Sequence, residues 1–501
     1  MSLPRRSFLR LTGTLTLGSA LTGCLAHGRL QTRGLAMLTA PEPLGEIPPS
    51  LPEREWNVLR RLTYGPTLEE RRHMSEIGAA AWIEEQLAPE SLSDEAAEAR
   101  LSAYPSLNQP ANVLFDLSDK LFDDQDRSTV PAELRQATLL RRLVSRRQLF
   151  ERLVEFWGDH FNVSLDKGDC CYWKTVDDRQ VIRPHALGAF ADLLSASAHS
   201  PAMLVYLDNQ SNRRGAPNEN YARELMELHT LGIDGGYTQL DVEELARCLT
   251  GWTVKEHWWR GEFTFDTDQH DMGTKQILGE RIEPQGEAEA QRLLTRLAEH
   301  PCTADHLARK LARRFIADDP PKWLVEHTAQ AILRSRGNLR QVLGALLLDG
   351  LDAIQPRFKR PGDFVVSSLR QLQAEVGEPA VLLEPLARMG HLPFGWPTPD
   401  GYPDRSSDWT GTLSARWQFA AAMMQGELPG TSIQLDRLLA ASPSLSAACN
   451  SLGILLFGQP LSPAVAQRLL AAIAESGLAG EQEALAFAAI GLLASPWFQW
   501  Y

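Results

Sequence analysis

Beyond Glu53, apolar residues recur along the chain at spacings of three and four. Leu139, Leu143 and Val144 are followed by Leu149, Leu153 and Val154, the stripes of two amphipathic helices. Val242, Leu245, Ala246 and Leu249 repeat the pattern. Thr238, with Asp241 three residues on, reads as a capping-box start to that helix, and Gly251 as its stop. Leu293, Leu294 and Leu297 predict a helix halted at Pro301. Thr303 is expected to cap the next one, which carries Leu307, Leu311 and Phe315. The same reasoning predicts helices near 321–335, 338–349, 363–375, 411–425, 464–475 and 481–494. Strand-like alternation is confined to Gly261–Asp266, with Lys275–Leu278 as its expected partner, while Pro393–Asp408 reads as irregular loop. The expectation is a mainly α protein: a large multi-helix assembly with a small β-hairpin-like insertion near 258–280.

The first residues break this pattern. Arg5-Arg6 precede Phe8-Leu9 and Arg10, followed by an apolar stretch from Leu11 to Ala20. Paired arginines before a short apolar run form a twin-arginine export signature. The run is too short to span a bilayer, which takes roughly 20 apolar residues. Leu21-Thr22-Gly23-Cys24 resembles a lipobox, so Cys24 is expected to become a lipid-bearing N-terminus. The expected organisation is a signal at 1–23, a Pro-containing tether at 24–52 and a helical body at 53–430 with an insertion at 252–284. An Ala/Leu-rich helical segment at 431–501 packs on that body. The expected location is the periplasmic face of the cell envelope, with the membrane as a partner through the lipid anchor.

Charge and cysteine usage narrow the chemistry. The 501 residues carry 63 acids against 50 Lys and Arg, a net charge of −13. An anionic body does not attract phosphate backbones, so no nucleic-acid partner is expected. The six cysteines form no C-x-x-C pair, which removes support for zinc ribbons and attached c-type haem. Metalloprotease, P-loop and nucleophile-elbow signatures are also absent.

Three polar clusters remain. In Asn218–Gly232, Glu224 and Glu227 share a helical face, although Glu219, Arg223 and Glu227 also form an ordinary ladder of ion pairs. In Glu155–Val163, His160 stands among aromatics. In Phe265–Lys275, an extended backbone would turn Asp266, Asp268 and His270 to one side, with Asp271 following. One reading joins these into a hydrolase or transferase site assisted by a divalent metal. His160, Glu224, Glu227, Asp241 and Glu244 would be catalytic, and His270, Asp271, Asp268 and Asp266 would hold the metal. Arg223, Arg247 and Lys275 would bind a phosphate or sulfate ester, with Trp252 and Trp396 stacking on a glycan. The alternative is a non-catalytic envelope scaffold whose acids pair with bases and whose aromatics bind a glycan or partner. Those aromatics are Trp252, Trp258, Trp259, Phe394, Trp396, Tyr402 and Trp409.

Several segments together carry a family resemblance. They include Leu62-Thr63-Tyr64-Gly65-Pro66-Thr67, Phe156-Trp157-Gly158-Asp159-His160-Phe161, the Asn218–Gly232 segment, Ala246–Trp252 and Thr398-Pro399-Asp400-Gly401-Tyr402-Pro403. Across roughly residues 55 to 425 the chain resembles the bacterial family catalogued as domain of unknown function 1800. The resemblance implies export and a neighbour from the sulfatase-like family, domain of unknown function 1501, as a partner. It implies no activity or cofactor. His229 stands where members of the family often carry Phe.

Overall fold

Helix boundaries follow capping chemistry. Thr67 and Glu70 close a reciprocal capping box at the start of the Leu68–Gln86 helix. Thr238 and Asp241 do the same for Gln239–Cys248, as the sequence predicts. The structure, a computed structural model, describes residues 50–120, 128–255 and 261–501, the side chains of 116–120 excepted. Arg5, Arg6, Cys24, Trp258 and Trp259, and with them the export and lipidation expectations, lie outside the described residues. The protein is mainly α, and the expected helices form at Lys322–Arg334, Leu339–Asp349, Pro361–Gln371, Leu413–Met424, Pro463–Ser476 and Glu481–Leu493. The cap of Pro301–Phe315 differs from expectation. His300 caps it, Pro301 takes the first helical position, and Thr303 lies inside, donating to the Leu297 carbonyl at 2.6 Å.

The strands among the described residues form three antiparallel pairs. The expected pairing of Gly261–Asp266 with Lys275–Leu278 does not occur. Strand Phe263–Phe265 instead pairs back onto Trp252–Val254, and Lys275–Ile277 pairs forward onto Glu280–Ile282. The cause is local. Gly251 adopts φ +80° and its carbonyl accepts from the Asp266 amide, an approach that leaves a Cβ only 2.4 Å from the Asp266 oxygen. Only glycine fits there, and it brings the first strand alongside the second.

Among the described residues two large apolar cores and two small apolar clusters follow from this layout. The first gathers residues between Val58 and Leu351 around Trp82, Trp157, Phe161 and Phe190. The second packs Phe364, Leu369, Phe419, Leu452, Leu485 and Phe498 with Tyr64, Leu68, Leu139 and Leu143 from the N-terminal half. Each fully buried side chain of this size contributes roughly 1.5–3 kcal/mol. Elements of both cores are joined by an ionic lattice. Glu155, with a side chain only 5% exposed, lies 3.2 Å from Arg142, 3.6 Å from Arg314 and 3.7 Å from Arg360. Asp159 accepts from Arg314 and Arg360, both at 2.9 Å. Asp404 faces Arg314 at 2.8 Å, and Asp318 holds Arg357 at 2.7 Å. Burial alone would raise the Glu155 pKa, but Arg142, Arg360 and Arg314 hold it well below the ordinary range.

Losing one partner of such a lattice leaves buried guanidinium charge uncompensated. Glu155→Gln is expected to lower stability by about 3–5 kcal/mol. Urea unfolding of the variant beside the wild type measures it.

Candidate functional site

The site residues predicted from the sequence fall into two separate places, and a cavity forms a third. At the hairpins, Arg247 clamps Glu244 at 2.7 Å and Asp271 at 2.9 Å, and the Gln276 amide donates to Glu244. The same guanidinium holds the Asp271 pKa down to about 2. Asp241 is consumed as the helix cap and also accepts from the Leu278 amide at 2.6 Å. His270 is fully buried, 3.3 Å from Glu289, while Lys275 lies 2.5 Å from the other Glu289 oxygen. Asp266 accepts from the amides of Asp268 and Gln269, because 267–269 turn. The extended backbone needed to align Asp266, Asp268 and His270 is therefore not present. Among the described residues, no three His, Cys, Asp or Glu side chains are arranged to hold a metal ion. Trp252 is buried against His199, with ring centres 4.4 Å apart, so it offers no face to a sugar.

The second place surrounds His160. Its Nε2 donates to the His229 carbonyl at 3.1 Å, and its Nδ1 accepts from Lys310 Nζ at 2.9 Å. A carbonyl only accepts, so the ring is neutral with its proton on Nε2. The ring centres of His229 and His306 lie 6.0 and 6.3 Å away. Burial pushes Lys310 down to about 8, opposed by Asp404 and Asp159. Asn162 donates to the carbonyls of Trp396 and Thr398, and Trp396 Nε1 donates to Asp400 at 3.0 Å. Glu224 is half-buried, its pKa raised by burial and by Glu227 and Asp400. Arg223 is spent on Glu219 at 2.9 Å and on Gln239 at 2.8 Å. His160, Glu224, Glu227 and Trp396 thus share a neighbourhood. Asp241, Glu244 and the hairpin residues do not join it.

The third place holds none of the predicted site residues. A cavity of about 820 Å³ opens between the Glu53–Leu62 helix, the start of Pro361–Gln371 and the 496–501 segment. Its position is set by a short antiparallel bridge. Lys359 N donates to the Gln499 carbonyl at 2.7 Å and Arg357 N to Tyr501 at 2.8 Å, with Phe358 opposite Trp500. Arg360 precedes a proline and stays extended at ψ 154°, and Pro361 then starts the helix. Asp363 and Ser367, four apart, share the face turned to the cavity. Asp363 accepts from Arg152 at 2.5 Å and from the Tyr501 hydroxyl at 3.0 Å. Lys359 Nζ lies 3.0 Å from Ser367 Oγ. Burial first, and Arg60 next, push the Lys359 ammonium well below the ordinary lysine value, with Asp363 opposing. Trp497 and Trp500, 58% and 41% exposed, stand at the rim. Sequence periodicity does not single out these residues. The available signal is a helix, Pro361–Gln371, buried at every position although it carries Asp363, Ser367, Ser368, Arg370 and Gln371.

The family described as "Protein of unknown function (DUF1800)" matches residues 57–500. The chain belongs to this family. No curated protein and no solved structure matches it. In this DUF1800 protein, the Leu62–Thr67 segment forms part of the cavity wall through Tyr64, Gly65 and Pro66. Gly65, at φ +119°, sits so close to Ser367 that a Cβ would meet its Cα at 2.6 Å. The five described cysteines are free, and burial pushes the Cys170 and Cys248 thiols up to about 12.

His229 supplies a test of the buried histidines. Neither ring nitrogen has a hydrogen-bond partner, and burial lowers its pKa to about 3. Between about pH 6.5 and 3 the unfolded chain binds a proton that the native ring refuses, so acidification removes stability across that window. His229→Phe, which removes both unpartnered ring nitrogens, is expected to add about 1 kcal/mol at neutral pH. The gain should grow on going to pH 5 and is read from thermal unfolding at both values.

Proposed function

We propose that the protein is an exported, lipid-anchored envelope protein that takes an anionic, ring-bearing glycan component into the 820 Å³ cavity. The address rests on Arg5, Arg6 and Cys24. The ligand class rests on one observation: Arg60 lines the cavity with its buried Nε lacking a hydrogen-bond partner and with Glu53 acting on it through space, beneath a rim of exposed tryptophans. A guanidinium favours carboxylate, sulfate or phosphate groups, which it can hold through two parallel hydrogen bonds. Indole faces offer flat apolar surface on which the C–H face of a sugar ring stacks. Cavities of this volume suit ligands of a few rings. A uronate or sulfated sugar meets both requirements, and it also suits the sulfatase-like partner that the family resemblance implies.

The metal-assisted alternative requires a surplus of negative charge in one cleft. Arg247 neutralises Glu244 and Asp271, Asp241 is a cap, and the remaining acids, Glu224 and Glu227, lie apart from these. Binding is therefore the reading the geometry favours.

The test is calorimetric titration of the protein with a p-nitrophenyl hexuronide and the matching neutral hexoside. The uronide should bind at least tenfold more tightly. Arg60→Ala should weaken the uronide by about 1.5–3 kcal/mol, roughly 10- to 100-fold, and leave the hexoside unchanged. Equal affinity for both sugars, or an Arg60 variant indifferent to charge, contradicts the proposal.

A further inference from the structure

We propose that Ser367 is a nucleophile and Lys359 its general base, a dyad in the cavity floor that hydrolyses acyl esters carried by the anionic glycan. This inference rests on the cavity being a ligand site and adds the reaction performed there. The first ground is geometry. Lys359 Nζ and Ser367 Oγ lie 3.0 Å apart, within the reach needed for direct proton transfer, and both line the cavity. The second is rigidity. Lys359 is fixed through its backbone by the Gln499 bridge, and its carbonyl accepts from Arg416. Ser367 sits on a wholly buried helix with Gly65 pressed against its Cα. The third is charge. Lys359 is buried, with Arg60, Arg152 and Arg416 disfavouring its charge, while Asp363 and the Phe498 ring 3.3 Å from Nζ favour it. That carboxylate is already shared between Arg152 and the Tyr501 hydroxyl. With its proton on, Lys359 donates to Ser367 Oγ, which donates to the Phe364 carbonyl at 3.3 Å; an amine in such a place gives up that proton, and the hydroxyl then turns its own toward the freed lone pair.

The chemistry balances without a metal or redox partner. Ser367 Oγ attacks the acyl carbonyl carbon as its proton passes to Lys359 Nζ. The tetrahedral intermediate then collapses, the ester C–O bond breaks, and the sugar hydroxyl leaves with the proton held by Lys359. Water adds to the acyl-serine carbonyl, giving a proton to Lys359. The bond from carbonyl carbon to Ser367 Oγ then breaks, and the proton returns to the serine. Seated on Arg60, the anionic group of the substrate offsets one of the cations around Lys359, which raises the basicity of the amine when ligand is bound.

The test uses the full folded protein with a fluorophosphonate probe and with p-nitrophenyl acetate. Peptide mass spectrometry should place the phosphonyl adduct on Ser367, and the p-nitrophenyl hexuronide should protect against it. Ser367→Ala and Lys359→Met should each lower the labelling and hydrolysis rates at least 100-fold. Ser367→Ala should still bind the uronide, since it removes one oxygen from a helix. Should Lys359→Met fail to fold, the pH dependence of wild-type labelling replaces it, rising through the Lys359 titration and then levelling. A folded protein that binds the uronide yet shows no adduct on Ser367 overturns the dyad and leaves the binding reading standing. Loss of both adduct and binding overturns both.

Discussion

A cation taken out of water must find a counter-charge or lose its proton, and this protein buries many cations. Where carboxylates are available the solution is pairing. Arg142, Arg314 and Arg360 converge on Glu155 and Asp159, and Arg357 is held by Asp318. These bonds cross between the Gln148–His160 helix, the Pro301–Phe315 helix and the segment leading into Pro361–Gln371, fixing elements of both apolar cores in one arrangement. Ion pairs at this depth add little net stability, because desolvation offsets much of their attraction, but they penalise any other arrangement heavily.

Where carboxylates run short the second solution appears. Around Lys359, burial with Arg60, Arg152 and Arg416 disfavours the charged form, and Asp363 opposes them. His160, His229 and His306 lie beside Lys310, and burial together with that ammonium keeps all three rings neutral. The two lysines differ in what surrounds them. Lys310 donates to an imidazole among acids, while Lys359 faces a hydroxyl at the edge of a large cavity. The same electrostatic rule thus yields a structural centre around His160 and a reactive pair at Ser367.

Most of the helical layout was legible in the sequence, because caps and apolar spacing are local. Thr238 with Asp241 and the stripes around Leu149 and Leu153 act within a few residues. The strand pairing was not legible, since it depends on Gly251 meeting Asp266, a backbone approach that alternation does not encode. Among the acids, Glu224 and Glu227 share a helix face as their spacing requires and Glu244 meets Arg247 three residues on, but the second partner of Arg247, Asp271, is set by the fold of the hairpins. The cavity was the least visible feature. Its aromatic rim comes from Trp497 and Trp500, far along the chain from Arg60, and its Lys359–Ser367 contact spans an extended residue pair, a proline turn and two helical turns. No fixed spacing signals such a contact, whereas a polar helix buried on every side does indicate that its polar groups have partners.

The central claim is that burial among cations leaves Lys359 uncharged beside Ser367. Titration of the lysine Cε carbon resonances in selectively ¹³C-labelled protein, with Lys359→Arg used for assignment, addresses it directly. The Lys359 resonance is expected to pass from ammonium to neutral amine well below the ordinary lysine range. A Lys359 signal that remains that of an ammonium up to about pH 10, the ordinary lysine range, would contradict it.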